Sequence, residues 1–170
     1  MSLRVPDLLQ TRRYALAIAA ANPALTSDGQ RERAVRAVSA RQVVLLEGQP
    51  PKLTIIIGEA ALRQRVGADD VIREQLRLLA DVSAKFPSVA LRVLPFTAGA
   101  YAAIRTGPVS VLRFRGMPSF AVFHQTGVIG SASVVRGAVL TLVLQKPDLL
   151  HAAALTPEES RQLIGQINEV

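Results

Sequence analysis

The sequence predicts an α+β domain: a mixed sheet of about four to five strands containing one βαβ crossover and one hairpin, with N-terminal and C-terminal helices packed around it. Three observations lead there. Two β-branched runs, 53–57 and 89–94, flank a stretch at 69–85 whose apolar residues recur at helical spacing. Two further short β runs, 109–115 and 120–125, are separated only by Gly116, Met117, Pro118 and Ser119. Both ends of the chain carry helix start signals. With 170 residues, 49% of them hydrophobic, one domain with a conventional core is expected over 1–170. It divides into an N-terminal helical segment (5–47), the sheet with its crossover helix (52–127), and an apolar segment with the C-terminal helices (128–170).

Pro6 and Asp7 open a first helix over 7–21, Pro fitting the first turn and Asp the positive end of the dipole; Leu8, Leu9, Ala15, Leu16, Ile18 and Ala19 favour one side, and Asn22-Pro23 stops it. Ser27-Asp28 caps a second helix through about residue 46. Gly48 to Pro51 breaks the chain ahead of the first strand, and 59–63 adds a short helical turn after it. Asp69-Asp70 opens the crossover helix, to residue 85, which buries Val71, Ile72, Leu76, Leu79 and Val82. Strand, helix and strand in succession predict a parallel pair. Beyond Gly130, the stretch 134–144 has β-branched residues suited to a strand and a length suited to a helix, and Pro147 is expected to end either. Residues 149–154 read as helical. Thr156-Pro157-Glu158-Glu159 then starts a last helix to about residue 168 with a capping box.

Composition excludes several chemistries. With 0 Cys and 2 His, thiolate metal sites, iron-sulfur clusters and cysteine nucleophiles are ruled out, and no metal or cofactor is expected. No GxGxxG, Walker or GxSxG pattern occurs, and no His is placed to activate a serine, so no catalytic residue is assigned. The formal net charge is +7, split +3, +5 and −1 over 1–50, 51–120 and 121–170, which predicts no basic arm. Arg4, Asp7, Arg12 and Arg13 interrupt any signal peptide, and the longest apolar stretch is broken by Arg136, Gly130 and Gly137, so a cytoplasmic protein without a membrane segment is expected.

Several motifs together carry a resemblance: Val5-Pro6-Asp7-Leu8-Leu9-Gln10-Thr11 with Tyr14-Ala15, Arg41-Gln42, Gly58-Glu59-Ala60-Ala61-Leu62-Arg63 with Val66-Gly67, Gln75-Leu76, Val93-Leu94-Pro95-Phe96 with Ala98-Gly99, and Ala154-Leu155-Thr156-Pro157-Glu158-Glu159-Ser160. The chain resembles the DUF5753 family, the C-terminal domain of actinobacterial regulators that carry an N-terminal helix-turn-helix of the Xre type. The resemblance implies a regulatory domain without enzymatic activity, whose DNA contact is made by an upstream helix-turn-helix outside this chain. Three positions depart from the family pattern: Asp7 replaces a Gly, Tyr101 a His, and Gln125 a Glu. The family also tends to carry a charged helix before its closing motif, where this chain is almost uncharged.

Candidate site residues follow from position. Glu59 stands just past the first strand, at the carboxyl edge where open sheets place ligands; it either binds a ligand or pairs with Arg63, its i+4 neighbour. His124 and Gln125 close the fourth strand, and Tyr101 lies in a long connection. Glu59, Arg63, Tyr101, His124 and Gln125 are therefore the candidate contacts to a small molecule or protein partner. Val139, Leu140, Leu142, Val143 and Leu144 are the candidate dimer interface, unless the same chain covers them. The expected function is a non-catalytic sensory or regulatory domain. The alternative is a constitutive homodimerisation module without a ligand.

Overall fold

The structure, a computed structural model, describes residues 4–99, 109–114, 116–125 and 131–169. The α+β class is as predicted, but the described strands divide between two sheets instead of one mixed sheet. The first is the parallel pair β1 (Leu53–Gly58) and β2 (Val89–Leu94), in register from Leu53 opposite Val89 to Gly58 opposite Leu94. The second is an antiparallel meander of β3 (Val109–Phe114), β4 (Met117–Gln125) and β5 (Ser131–Arg136). Apolar periodicity specifies strands; it does not specify which edges pair.

The helices that embed the parallel pair are α1 (Arg12–Ala20), α2 (Asp28–Gln42), α3 (Glu59–Arg63), α4 (Asp69–Ala80), α5 (Val82–Lys85) and α7 (Pro157–Glu169). Ile57, Leu62, Leu79, Val93 and Ile164 are the centre of this core, each at most 1% exposed. Predicted buried positions Val71, Leu76, Leu79 and Val82 are buried; Ile72 is partly so. Gly67 turns the chain into α4 at φ +71°, where an added Cβ would lie 3.1 Å from that of Ala17, so glycine serves both the backbone angle and the close approach of α1.

The first helix begins later than its sequence predicts. Asp7–Leu9 is a single 3-10 turn, Gln10 is extended, and α1 starts after Thr11, whose hydroxyl caps the Tyr14 amide. The helix is interrupted because side chains from elsewhere hold this turn. Gln75 on α4, fully buried, donates from Nε2 to the Leu9 carbonyl (2.7 Å) and accepts at Oε1 from the Thr11 amide (2.8 Å). Gln42 at the end of α2 donates to the carbonyls of Gln10 (2.7 Å) and Asp7 (3.1 Å). The Tyr14 hydroxyl accepts from the Val5 amide, and burial pushes its phenol pKa up. Asp7 pairs with Arg4 and with Arg41, so the Asp found where the resemblance leads one to expect Gly has two guanidinium partners.

Other boundaries also move. The second helix ends at Gln42, followed by a 3-10 turn at Val43–Leu45, and the crossover helix breaks at Asp81 into α4 and α5. The ambiguous stretch is both structures in turn: β5 ends at Arg136, Gly137 at φ +55° redirects the chain, and α6 (Gly137–Ala153) begins there. Pro147 does not end α6; the helix runs through it to Ala153. The proline costs this 17-residue helix one backbone hydrogen bond. The hairpin turn is shorter than expected, since β4 already starts at Met117, opposite Phe114.

Candidate functional site

At the carboxyl ends of β1 and β2 the chain leaves the parallel pair through α3 and a 3-10 turn at Phe96–Ala98. Glu59, the first residue of α3 and 8% exposed, ties these two exits together. Its Oε1 accepts from Arg63 Nε at 2.8 Å, as the i+4 spacing predicts, and its Oε2 accepts from the Phe96 amide at 2.9 Å. Both carboxylate oxygens are thus engaged by the chain itself. Around this clip the Phe96 ring and the Arg63 side chain face solvent, a guanidinium and an aromatic at one edge.

The structure brings Glu59 and Arg63 together and places His124 and Gln125 on the other sheet. His124 stands opposite Ser110 and Ala132, and Gln125 opposite Val109 and Ser131. Tyr101 lies outside the described residues, as do the side chains of His124 and Gln125. A crevice between α4, β2 and α7, lined by Leu79, Leu91, Ser160 and Ile164, has about 10 Å³, room for a single water. Among the described residues no group of three or more His, Cys, Asp or Glu could hold a metal ion, and no helix is long and apolar enough to cross a membrane.

Of the residues assigned to a dimer interface, Leu140 is partly buried against the cluster of Ala121 and Val135, as is Val111, so α6 lies on one face of the antiparallel sheet. Val139 is 55% exposed. The side chains of Leu142, Val143 and Leu144 lie outside the described set.

The opposite face of that sheet carries a feature the sequence reading missed. Register sets Leu112 opposite Val122 and Val122 opposite Val134, one apolar residue on each strand in a single cross-strand row. Each neighbours, along its strand, a residue of the covered cluster (Val111, Ala121 and Val135), so by the alternation of a pleated sheet the row points away from α6. Leu112 is 48% and Val134 56% exposed. At the hairpin end Phe114 and Met117 are exposed as well.

A charge signal surrounds the β3–β5 strands in the chain and is legible in the sequence. Between Asp81 and Asp148 there are 66 residues without Asp or Glu, carrying seven cations: Lys85, Arg92, Arg105, Arg113, Arg115, Arg136 and Lys146. The remainder has 13 cations and 13 acids, so this one run holds the whole net charge of +7.

A second set of motif residues closes the edge of the parallel pair. The Leu155 amide donates to the Val93 carbonyl (2.9 Å), and the Val93 amide donates to Ser160 Oγ (2.8 Å), which itself donates to the Thr156 carbonyl (2.7 Å). The predicted capping box is formed: the Thr156 amide donates to Glu159 Oε2 and the Glu159 amide to Thr156 Oγ1. The start of α7 thereby occupies an edge that would otherwise expose unpaired backbone groups.

No curated protein and no solved structure matches the chain. A family model described as "Domain of unknown function (DUF5753)" matches residues 1–166. The motifs quoted above, now seen to interlock, and this match over nearly the whole length place the chain in one family: it belongs to the DUF5753 family.

Proposed function

We propose that the chain is the non-catalytic regulatory domain of a cytoplasmic, DNA-binding transcriptional regulator, that it receives its signal by binding a protein partner, and that a helix-turn-helix outside these 170 residues reads the DNA. The regulator context comes from the family resemblance. The observation that favours a protein partner over a small ligand is the open row Leu112, Val122 and Val134. A flat apolar sheet face suits a macromolecule, whereas small molecules are held in concave sites with a few convergent polar groups. Glu59, which would serve a ligand at the parallel edge, already has both oxygens occupied.

Replacing Val134 by Asp in the regulator as its host makes it tests this reading. The side chain is exposed, so the variant should accumulate and melt like the wild type, within about 0.5 kcal/mol. Its transcript profile should match that of a strain lacking the regulator. A normal profile from the folded variant would overturn the proposal.

Val139 favours a second reading, homodimerisation through α6, because it is exposed on a helix whose neighbour Leu140 already packs inward. Light scattering of the wild type and of Val139→Glu separates the two: a dimer that the substitution dissociates supports this reading, and a monomeric wild type removes it.

A further inference from the structure

We propose that the open face of the β3–β5 sheet docks an acidic, amphipathic helix of a partner protein. This rests on the protein-binding reading above and specifies the partner's chemistry. The sheet has two faces of similar side chains with opposite fates. On one, Ala121 (0% exposed) and Val135 (7%) are covered by α6 through Leu140; on the other, Leu112, Val122 and Val134 form an apolar row that nothing among the described residues covers to that degree. Sheets complete their layers with helices, and the covered face shows that a helix fits this one. A helix presenting apolar residues to the row would extend the arrangement by one layer.

Charge selects the partner. The three strands carry Arg113 and Arg136 and no carboxylate, within the 66-residue run that holds the full net charge, and Arg113, opposite Ala121, belongs to the covered face. Arg136 follows Val134 by two positions and so shares the face of the row. Carboxylates flanking the apolar stripe of a partner helix would meet this positive potential and be steered by it. A second copy of the chain is the wrong occupant, because a twofold contact would set one carboxylate-free sheet against another. Duplex DNA is also disfavoured: the cations suit phosphates, but Leu112, Val122 and Val134 offer them nothing.

The test uses the whole chain and a fluorescent synthetic amphipathic helix of Leu and Glu, about 18 residues long. Its controls are the same peptide with Lys for Glu and a 30-bp duplex, the length being an order-of-magnitude choice of roughly three helical turns. The Leu/Glu peptide should bind at least about tenfold more tightly than the Leu/Lys peptide and weaken as salt is raised. Val134→Asp should cost about tenfold or more, and Val134→Lys, which removes the same apolar contact but keeps the attraction, should cost clearly less. Melting curves of both variants establish that they are folded. Equal binding of the two peptides overturns the proposal, and so does an equal loss in the two variants. Tighter binding of the duplex than of the Leu/Glu peptide makes the face a phosphate surface. A wild-type dimer that Val134→Asp dissociates makes the occupant a second copy. If the peptide result fails while Val134→Asp still abolishes regulation in the host, the acidic partner falls and the protein-binding reading stands; if regulation is also unaffected, both fall.

Discussion

Replacing Gln75 by leucine is expected to destabilise the chain by about 3 kcal/mol, although leucine is the more hydrophobic residue and the helix around it is amphipathic. Gln75 is fully buried on α4, and its amide engages the Leu9 carbonyl at 2.7 Å and the Thr11 amide at 2.8 Å. Leucine fits the volume and satisfies neither. Each stranded backbone group costs about 1–3 kcal/mol, and the gain from one better-packed apolar side chain is of the order of 1.5 kcal/mol at most, so the polar loss wins. Urea denaturation followed by circular dichroism measures the difference. A loss below about 1 kcal/mol would mean that water or a shifted backbone replaces the glutamine readily.

Ser160→Ala is expected to cost about 2 kcal/mol by the same measurement. The Ser160 side chain, 1% exposed, is the acceptor for the Val93 amide on the outer edge of β2, where no further strand pairs among the described residues. Alanine leaves that amide buried without a partner. Ser160→Thr should keep more of the stability, since the hydroxyl is retained, although the extra methyl must be accommodated beside Ile164 and Leu91. An alanine variant as stable as the wild type would show that the edge of β2 is satisfied in some other way.

Much of this fold was legible in the sequence because the signals were local. The strand 89–94, the crossover helix from Asp69 and the capping box at Thr156 each depend on residues within a few positions of one another. What was missed depended on distant partners. A helix starting at Asp7 is locally reasonable, yet Gln75, 66 positions from Leu9, takes up the backbone groups of a broken turn instead. A warning was present: Gln75 lies four residues after Val71 and four before Leu79, on the apolar stripe, and a polar residue on a buried stripe needs a partner. The strand-to-helix change at Gly137 looks from the sequence like a choice between two structures, because period alone does not mark a switch inside an apolar run.

The candidate site divides in the same way. The Glu59–Arg63 pair follows from i+4 spacing, whereas the bond from the Phe96 amide, which closes the second carboxylate oxygen, requires the parallel register. The open row was hidden for a related reason. Leu112, Val122 and Val134 are ten or more residues apart and become neighbours only when β3, β4 and β5 pair. The acid-free run that accompanies them needed no structure, only a count taken between successive carboxylates.

The residues that mark the family, Gln10, Thr11, Gln75, Val93 and Ser160 among them, hold the fold together, which leaves the open sheet face for the proposed partner. Native-state amide hydrogen exchange tests that assignment most directly. The Thr11 and Val93 amides are held by the side chains of Gln75 and Ser160, so both should exchange only through global unfolding, with the free energy of the Ile57 amide at the centre of the core. Exchange of either amide through a local opening, at a rate comparable to that of the exposed turn at Val44, would show that these side chains are not committed to the fold and would contradict the account.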